Sequence, residues 1–449
     1  MQVADFLKKL PLSEYTIHFI GIGGIGMSAL AEILCEGGFK VSGSDAEYNS
    51  NCRYLAGMGV NIAPVGHRKE NIPADGCAAA IMTSAAQQNN PEAVKLLRDN
   101  IITWGRGEFL GELCRCYKRT VMVAGSHGKS STSAMLGWIL RKLGNDAGLV
   151  IGARYNSSER NARLGSGDIL VGEADESDNT HALLSGELAL VTNIDGDHAW
   201  SKEAVAEQEQ KFRIFGANFR KTLYLASENC RRIFANCPNA EPVSEEKFKY
   251  MDSLVPGNML GFERTNAVLA LTGAEYLGFD PVMAAEALKS YPGIRRRQTV
   301  IMVSPDNCIT VLEDYAHHPH ELACSLEVIR LRYPAHKLTV VFQPHRYRRL
   351  LRYFDDFVHI LSDKTLSVKV LPVFCAWEQL LIDGRESADL VAAINAAGGK
   401  AELLSLDAPE RSAETLLKEC PATEQTLIAL IGAGDIDRLT KCFQCKSEE

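Results

Sequence analysis

The chain has 449 residues, 46% hydrophobic and 23% charged, with a formal net charge of -8 and a pI near 5.8. This is an ordinary globular composition long enough for about three domains, and its acid excess argues against a general nucleic-acid binder, which needs a basic face, while leaving local basic clusters open. No apolar run approaches the ~18 residues of a bilayer span, no apolar stretch follows a basic start, and the 13 cysteines are irregularly spaced. A cytoplasmic protein with reduced thiols and no membrane partner is therefore expected.

In chain order, the first predicted strand is Thr16-Ile17-His18-Phe19-Ile20, followed by a glycine turn from Gly21 to Gly26 and an apolar-periodic helix to Cys35. A second strand, Phe39 to Val41, ends near Asp45, and an apolar stretch from Cys77 to Met82 follows. The segment closes around Trp104-Gly105-Arg106-Gly107. A second unit opens on the strand Thr120 to Ala124, enters another glycine turn and a long helix, and carries strand-like runs at Asp168 to Val171 and Leu188 to Val191. It ends around Pro292 to Arg297. The third has strands at Cys308 to Leu312, Leu338 to Phe342, Ser367 to Val373 and Thr426 to Ile431. Strand, glycine turn and helix in repetition are the grammar of parallel α/β sheets. The expected architecture is α/β with three domains: a Rossmann-like 1–107, a central P-loop ATPase-like 108–298 and a Rossmann-like 299–449. The lone CxxC, Cys442 to Cys445, lacks a second ligand pair and does not read as a metal knuckle.

The first turn, with Gly21, Gly23, Gly24 and Gly26, lets the backbone approach a diphosphate at a helix start. Asp45, at the end of the second strand, stands where a ribose hydroxyl would be met. NAD and UDP fit this chemistry equally.

The second turn, Gly125-Ser126-His127-Gly128-Lys129-Ser130-Ser131, is a shortened phosphate loop, with Val123 where the full motif has glycine. Its N–H groups are expected to wrap phosphate oxygens, Lys129 to reach the outer phosphates and Ser130 to ligate Mg²⁺. Glu173 to Asp178 and Asn193 to His198 each follow an apolar strand. Strand C-termini are where ligands bind in such sheets, and carboxylates there suit Mg²⁺.

In this order the motifs resemble the Mur ligase family over nearly the whole chain. The resemblance rests on His18 to Ser28, Gly128-Lys129, Glu173 to Asp178, Thr192 to Asp195, Asp314 to Pro319, Phe342 to Tyr347 and Gly432 to Asp435. It implies an ATP-dependent amide ligase of peptidoglycan precursor synthesis. ATP would phosphorylate the carboxylate of UDP-N-acetylmuramate, and L-alanine would displace phosphate from the acyl phosphate. It places UDP at the first turn. It gives Lys129 the ATP phosphates, Ser130, Glu173 and His198 the Mg²⁺ ions, Asn266 the adenine side and Asp314 the ATP ribose. Tyr315, His317, His345, Arg346 and Arg349 would serve the amino acid, with Arg346 and Arg349 sharing a helical face to clamp its carboxylate. A monomer or homodimer is expected.

Two alternatives stay open: a relative adding another amino acid or a peptide to the same nucleotide, and a weakened nucleotide-binding homologue. One methylene is worth only about 1–3 kcal/mol, so alanine is not separated from glycine or serine. The chain also departs from the family pattern. Phe262-Glu263 replaces His-Asn near the adenine, and Asn179-Thr180-His181 replaces a glycine-serine-phenylalanine ending.

Overall fold

The computed structural model describes residues 15–447 apart from 75, 87–88, 177–178, 197–200, 377, 380–383 and 422–423. Strands β1 (Thr16–Ile20), β2 (Lys40–Ser44), β3 (Asn61–Ile62), β4 (Cys77–Met82) and β5 (Ile102–Gly105) form a parallel sheet in the order β3-β2-β1-β4-β5. Strand β1 is central and reads as a continuous buried run, as a strand covered on both faces must. Strand β2 reaches Ser44, three residues past the expected Val41. Of its extra residues, Ser42 and Ser44 are polar yet buried, because a neighbour takes each hydroxyl. Ser42 Oγ lies 2.9 Å from His18 Nδ1, and Ser44 Oγ donates to Glu92 at 2.7 Å.

A second sheet contains β6 (Arg119–Ala124), β7 (Gly148–Val150), β8 (Ala162–Arg163), β9 (Ile169–Glu173), β10 (Gly186–Val191), β11 (Phe219–Tyr224) and β12 (Ala240–Pro242). Its order is β12-β11-β10-β6-β9-β7-β8, parallel except for β8 against β7. The chain leaves β6 toward β7 and β9 on one side, then crosses to β10 on the other. That reversal opens a crevice at the C-terminal ends of β6, β9 and β10, where ligands settle in open α/β sheets.

These two sheets belong to one compact unit, which holds the described residues to Met259 and Glu263–Pro292. One buried apolar cluster explains their union. It runs from Ile17, Phe19 and Leu30 through Phe109 and Leu113 to Met122, Val191 and Phe212. Each such side chain contributes roughly 1.5–3 kcal/mol by leaving water.

The second unit, Leu260–Phe262 with the chain from Gly293 onward, carries the third sheet. Its strands are β13 (Thr299–Val303), β14 (Ile309–Asp314), β15 (Lys337–Phe342), β16 (Leu366–Val370), β17 (Ala401–Leu403) and β18 (Thr426–Ile431), in the order β13-β14-β18-β15-β16-β17. Only β13 in this sheet is antiparallel to its neighbour. Period-two alternation sends Val340 and Phe342 to one core and Val341 to the other. Strand β16 stops at Val370 rather than the expected Val373, since Pro372 has no N–H to continue the ladder.

Among the described residues, no helix is long and apolar enough to cross a membrane. Cys442 and Cys445 both lie on the helix Asp437–Ser447.

Candidate active site

Strand β6 delivers the chain into Gly125, whose φ of +132° and closeness to Thr192 Oγ1 leave no room for a Cβ. Gly128 has φ +82° and caps the helix Lys129–Lys142; a Cβ there would run into Asn266 Oδ1. The loop between is braced by the end of β10. Ser126 N donates to Asn193 O (2.9 Å), His127 N to Asn193 Oδ1 (2.9 Å) and Thr192 Oγ1 to His127 O (2.5 Å). His127 Nε2 stands 2.6 Å from Asp195 Oδ2. The expectation that the loop's N–H groups wrap phosphate is therefore corrected for Ser126 and His127, whose N–H groups hold the loop's own shape. The helix start from Gly128 through Ser131 keeps the donor role, because first-turn N–H groups have no intrahelical acceptor.

Ser130 Oγ donates to Glu173 Oε2 at 3.0 Å, and Glu173 Oε1 accepts from Gly152 N at 2.6 Å. Burial raises the Glu173 carboxyl above its ordinary range. A hydroxyl and a carboxylate side by side are a hard-oxygen pair that fits a hard divalent cation. Lys129 Nζ donates to Glu176 Oε2 (2.8 Å) and Oε1 (3.1 Å) and to Gly125 O (2.7 Å). Burial works to lower the ammonium's pKa, but Glu176, Asp175 and Glu173 outweigh it and raise it. Glu176 is pushed up to about 7 by burial, against the pull of Lys129. Asn266 is 5% exposed, and its buried Nδ2 has no hydrogen-bond partner among the described residues. Ser131 is buried in the helix's first turn. His198 lies outside the described residues.

In the first glycine turn the half-buried Asp45 carboxylate accepts from Gly23 N (2.8 Å) and Glu47 N (3.2 Å) and so braces the turn. Gly23 O accepts from Asn49 Nδ2 (3.0 Å) and Asn51 Nδ2 (2.7 Å). Gly21 has φ +81°, and Gly24 is the N-cap of the helix Ile25–Glu36. Against Gly26 lies Arg106, whose Nη1 stands 2.5 Å from where a Cβ would be. The same guanidinium donates to Thr180 Oγ1 (3.3 Å) and faces Asp175 Oδ2 (3.6 Å). It thus connects the first turn to the acidic run after β9. No spacing rule ties Arg106 to a turn so far upstream, so this link is visible only in the fold.

In the second unit the loops after β14, β18, β15 and β16 gather at the C-terminal edge of the sheet. Tyr315, His317, His345 and Phe374 form a row of rings with centroids 5.3, 5.3 and 5.4 Å apart. The guanidinium carbons of Arg296 and Arg297 sit 4.8 and 5.4 Å from the Tyr315 ring. His317 Nδ1 lies 2.9 Å from Tyr315 O and 3.2 Å from Glu321.

Asp314 is 2% exposed and both its oxygens are engaged internally, by Ala316 N (2.8 Å) and Ser325 Oγ (3.0 Å). It shapes the loop, and burial raises its pKa. The expected shared helical face of Arg346 and Arg349 is corrected here. The helix begins at Tyr347, and Arg346 has φ +68° because its N–H is drawn to Phe374 O (2.8 Å). Arg349 is 1% exposed, with Nη1 donating to His345 Nδ1 at 3.0 Å.

Comparison with known proteins places this geometry. Residues 16–118 match the model described as Mur ligase family, catalytic domain. A protein of Aromatoleum aromaticum named UDP-N-acetylmuramate–L-alanine ligase is 34% identical over 94% of this chain and 96% of its own. Its namesake in Persephonella marina is 32% identical over 94% and 95%. The crystal structure of UDP-N-acetylmuramate–alanine ligase from Thermotoga maritima superposes with a TM-score of 0.77 at 25% identity, covering 97% of this chain and all of that one. The resemblance read from the motifs is borne out over almost the full length, and so is the α/β fold: the chain belongs to the Mur ligase family.

Proposed function

We propose that this chain is the ATP-dependent ligase that adds L-alanine to UDP-N-acetylmuramate, forming ADP and phosphate in peptidoglycan precursor synthesis. The observation that carries this reading is the cluster at the β6, β9 and β10 ends. A P-loop lysine, a hydroxyl–carboxylate pair and Arg106 stand together beside a glycine turn suited to a diphosphate. The names of relatives at 32–34% identity over 94% of the chain support it.

In this reading a muramate carboxylate oxygen attacks the γ-phosphorus, and the bond to the β,γ-bridging oxygen breaks, releasing ADP. The alanine amine then attacks the acyl carbon and gives up a proton as orthophosphate departs. Lys129 and the N–H groups at the start of its helix hold the ATP phosphates, and Asn266 Nδ2 serves the adenosine side. Gly21 to Gly26 and Arg106 receive the uridine diphosphate. Ser130, Glu173 and His198 hold Mg²⁺, which when bound neutralises oxygens that otherwise repel one another. Tyr315, His345 and Arg346 receive the amino acid, with the buried Arg349 holding His345, and His317, oriented through Nδ1 by Glu321, takes the amine's proton. Segments 1–107, 108–298 and 299–449 divide these tasks among uridine substrate, ATP and amino acid. The protein works in the cytoplasm as a monomer or homodimer, without nucleic-acid or membrane partners.

The test is orthophosphate release from UDP-N-acetylmuramate, ATP and Mg²⁺ across a panel of amino acids. Release greatest with L-alanine and absent without the uridine substrate is expected. Release indifferent to that substrate defeats the proposal.

A further inference from the structure

We infer that Glu176 is a positioning residue that holds Lys129 back from the nucleotide and must hand it over when ATP binds. The inference rests on the ATP site proposed above. An ammonium has three N–H donors. Those of Lys129 face Gly125 O (2.7 Å), Glu176 Oε2 (2.8 Å) and Oε1 (3.1 Å), with Ser126 O at 3.4 Å. Every acceptor belongs to the protein, so Nζ meets a phosphate oxygen only by leaving one of them. The carbonyls sit on a loop fixed by Gly125, Asn193 and Thr192, whereas Glu176 holds Nζ through both of its side-chain oxygens.

Glu176 is not a rim carboxylate. Its side chain is wholly buried, and its backbone is tied into the turn after β9, where its carbonyl accepts from Asn179 N at 3.3 Å. A buried carboxylate at 2.8 Å from a P-loop lysine stands in for a phosphate oxygen while no nucleotide is bound. Nucleotide affinity is then reduced by the fraction of molecules in which Lys129 is disengaged. Glu176 also draws Lys129 back once the γ-phosphoryl has moved, which speeds ADP release. Replacing its charge frees the lysine and leaves a buried positive charge for the nucleotide to neutralise. Both effects have the same sign.

The experiment titrates ADP with Mg²⁺ into wild type, Glu176→Gln and Glu176→Asp by calorimetry and follows ADP dissociation by stopped flow. Glu176→Gln is expected to bind ADP about tenfold tighter and release it correspondingly slower, with Glu176→Asp between it and wild type. The KM for ATP falls while that for L-alanine stays put. A merely structural role loosens binding, so equal or weaker affinity in Glu176→Gln overturns the inference. Should that variant not fold, a crystal structure of wild type with an ATP analogue and Mg²⁺ decides. Lys129 Nζ on phosphate oxygens and beyond about 4 Å from Glu176 supports it; a retained Glu176 contact overturns it. Wild type that binds no adenine nucleotide defeats the ATP-site reading instead.

Discussion

The two regions proposed to bind ligands both lie at the C-terminal ends of sheet strands, yet are built on opposite plans. At β6, β9 and β10 the working groups are already paired with internal partners: Lys129 with Glu176, Arg106 with Asp175, and the His127 ring with Asp195. After β14, β15 and β16 they are rings in edge-to-face and stacked contact, with the buried Arg349 donating to His345. The first plan suits a polyanion that must replace internal partners and then be let go. The second suits a small, fixed contour that discriminates by shape.

The largest expected effect separates the two plans. Lys129→Ala should lower phosphate release about a thousandfold while leaving thermal stability close to wild type, since Glu176 then takes up a proton. Comparable turnover in initial-rate assays would mean that the paired charges are scaffolding.

The histidines extend the contrast. His317 and His345 are hydrogen-bonded, but His181 packs on Phe212 at 4.8 Å and Phe215 at 6.3 Å, and neither ring nitrogen has a partner among the described residues. Burial lowers its pKa to about 4. The unfolded chain therefore binds the extra proton first. The stability from a neutral His181 is complete above about pH 6.5 and is lost as pH falls toward 4, to the extent of about 3 kcal/mol. His181→Phe should flatten the denaturation midpoint over that window. An unchanged acid slope would show that His181 is not what limits it.

Gly128→Ala comes next. At φ +82° with Asn266 Oδ1 in the way, a methyl group should cost about 2 kcal/mol of stability and raise the KM for ATP more than that for L-alanine. Arg349→Lys is the smallest. Loss of the planar donor to His345 should raise the KM for L-alanine several-fold, about 1 kcal/mol, with ATP binding untouched. An effect spread over both substrates would blur the distinction between the two regions.

Much of this was readable in the residues. The glycine turns, the strand ends and the acidic run at Glu173 were evident because backbone geometry and strand order confine them to one edge of a sheet. Partner choice was not. Asp45 and Asp314 both sit at strand ends, as expected of ligands, but their carboxylates turn to nearby backbone N–H groups. Spacing says where a side chain emerges, not which donor it finds first. Arg346 leaves the expected helical face for a related reason: helical spacing presumes a helix, and a tertiary hydrogen bond to Phe374 takes the backbone out of it. Glu176, Arg106 and Arg349 became distinctive only through contacts formed across loops.

The account stands or falls on transfer of the γ-phosphoryl group to a carboxylate. UDP-N-acetylmuramate carrying ¹⁸O in its carboxyl group, turned over with ATP, Mg²⁺ and L-alanine, should deliver one ¹⁸O into orthophosphate for each amide formed. Amide formed with unlabelled phosphate would contradict the acyl phosphate and the site built around it.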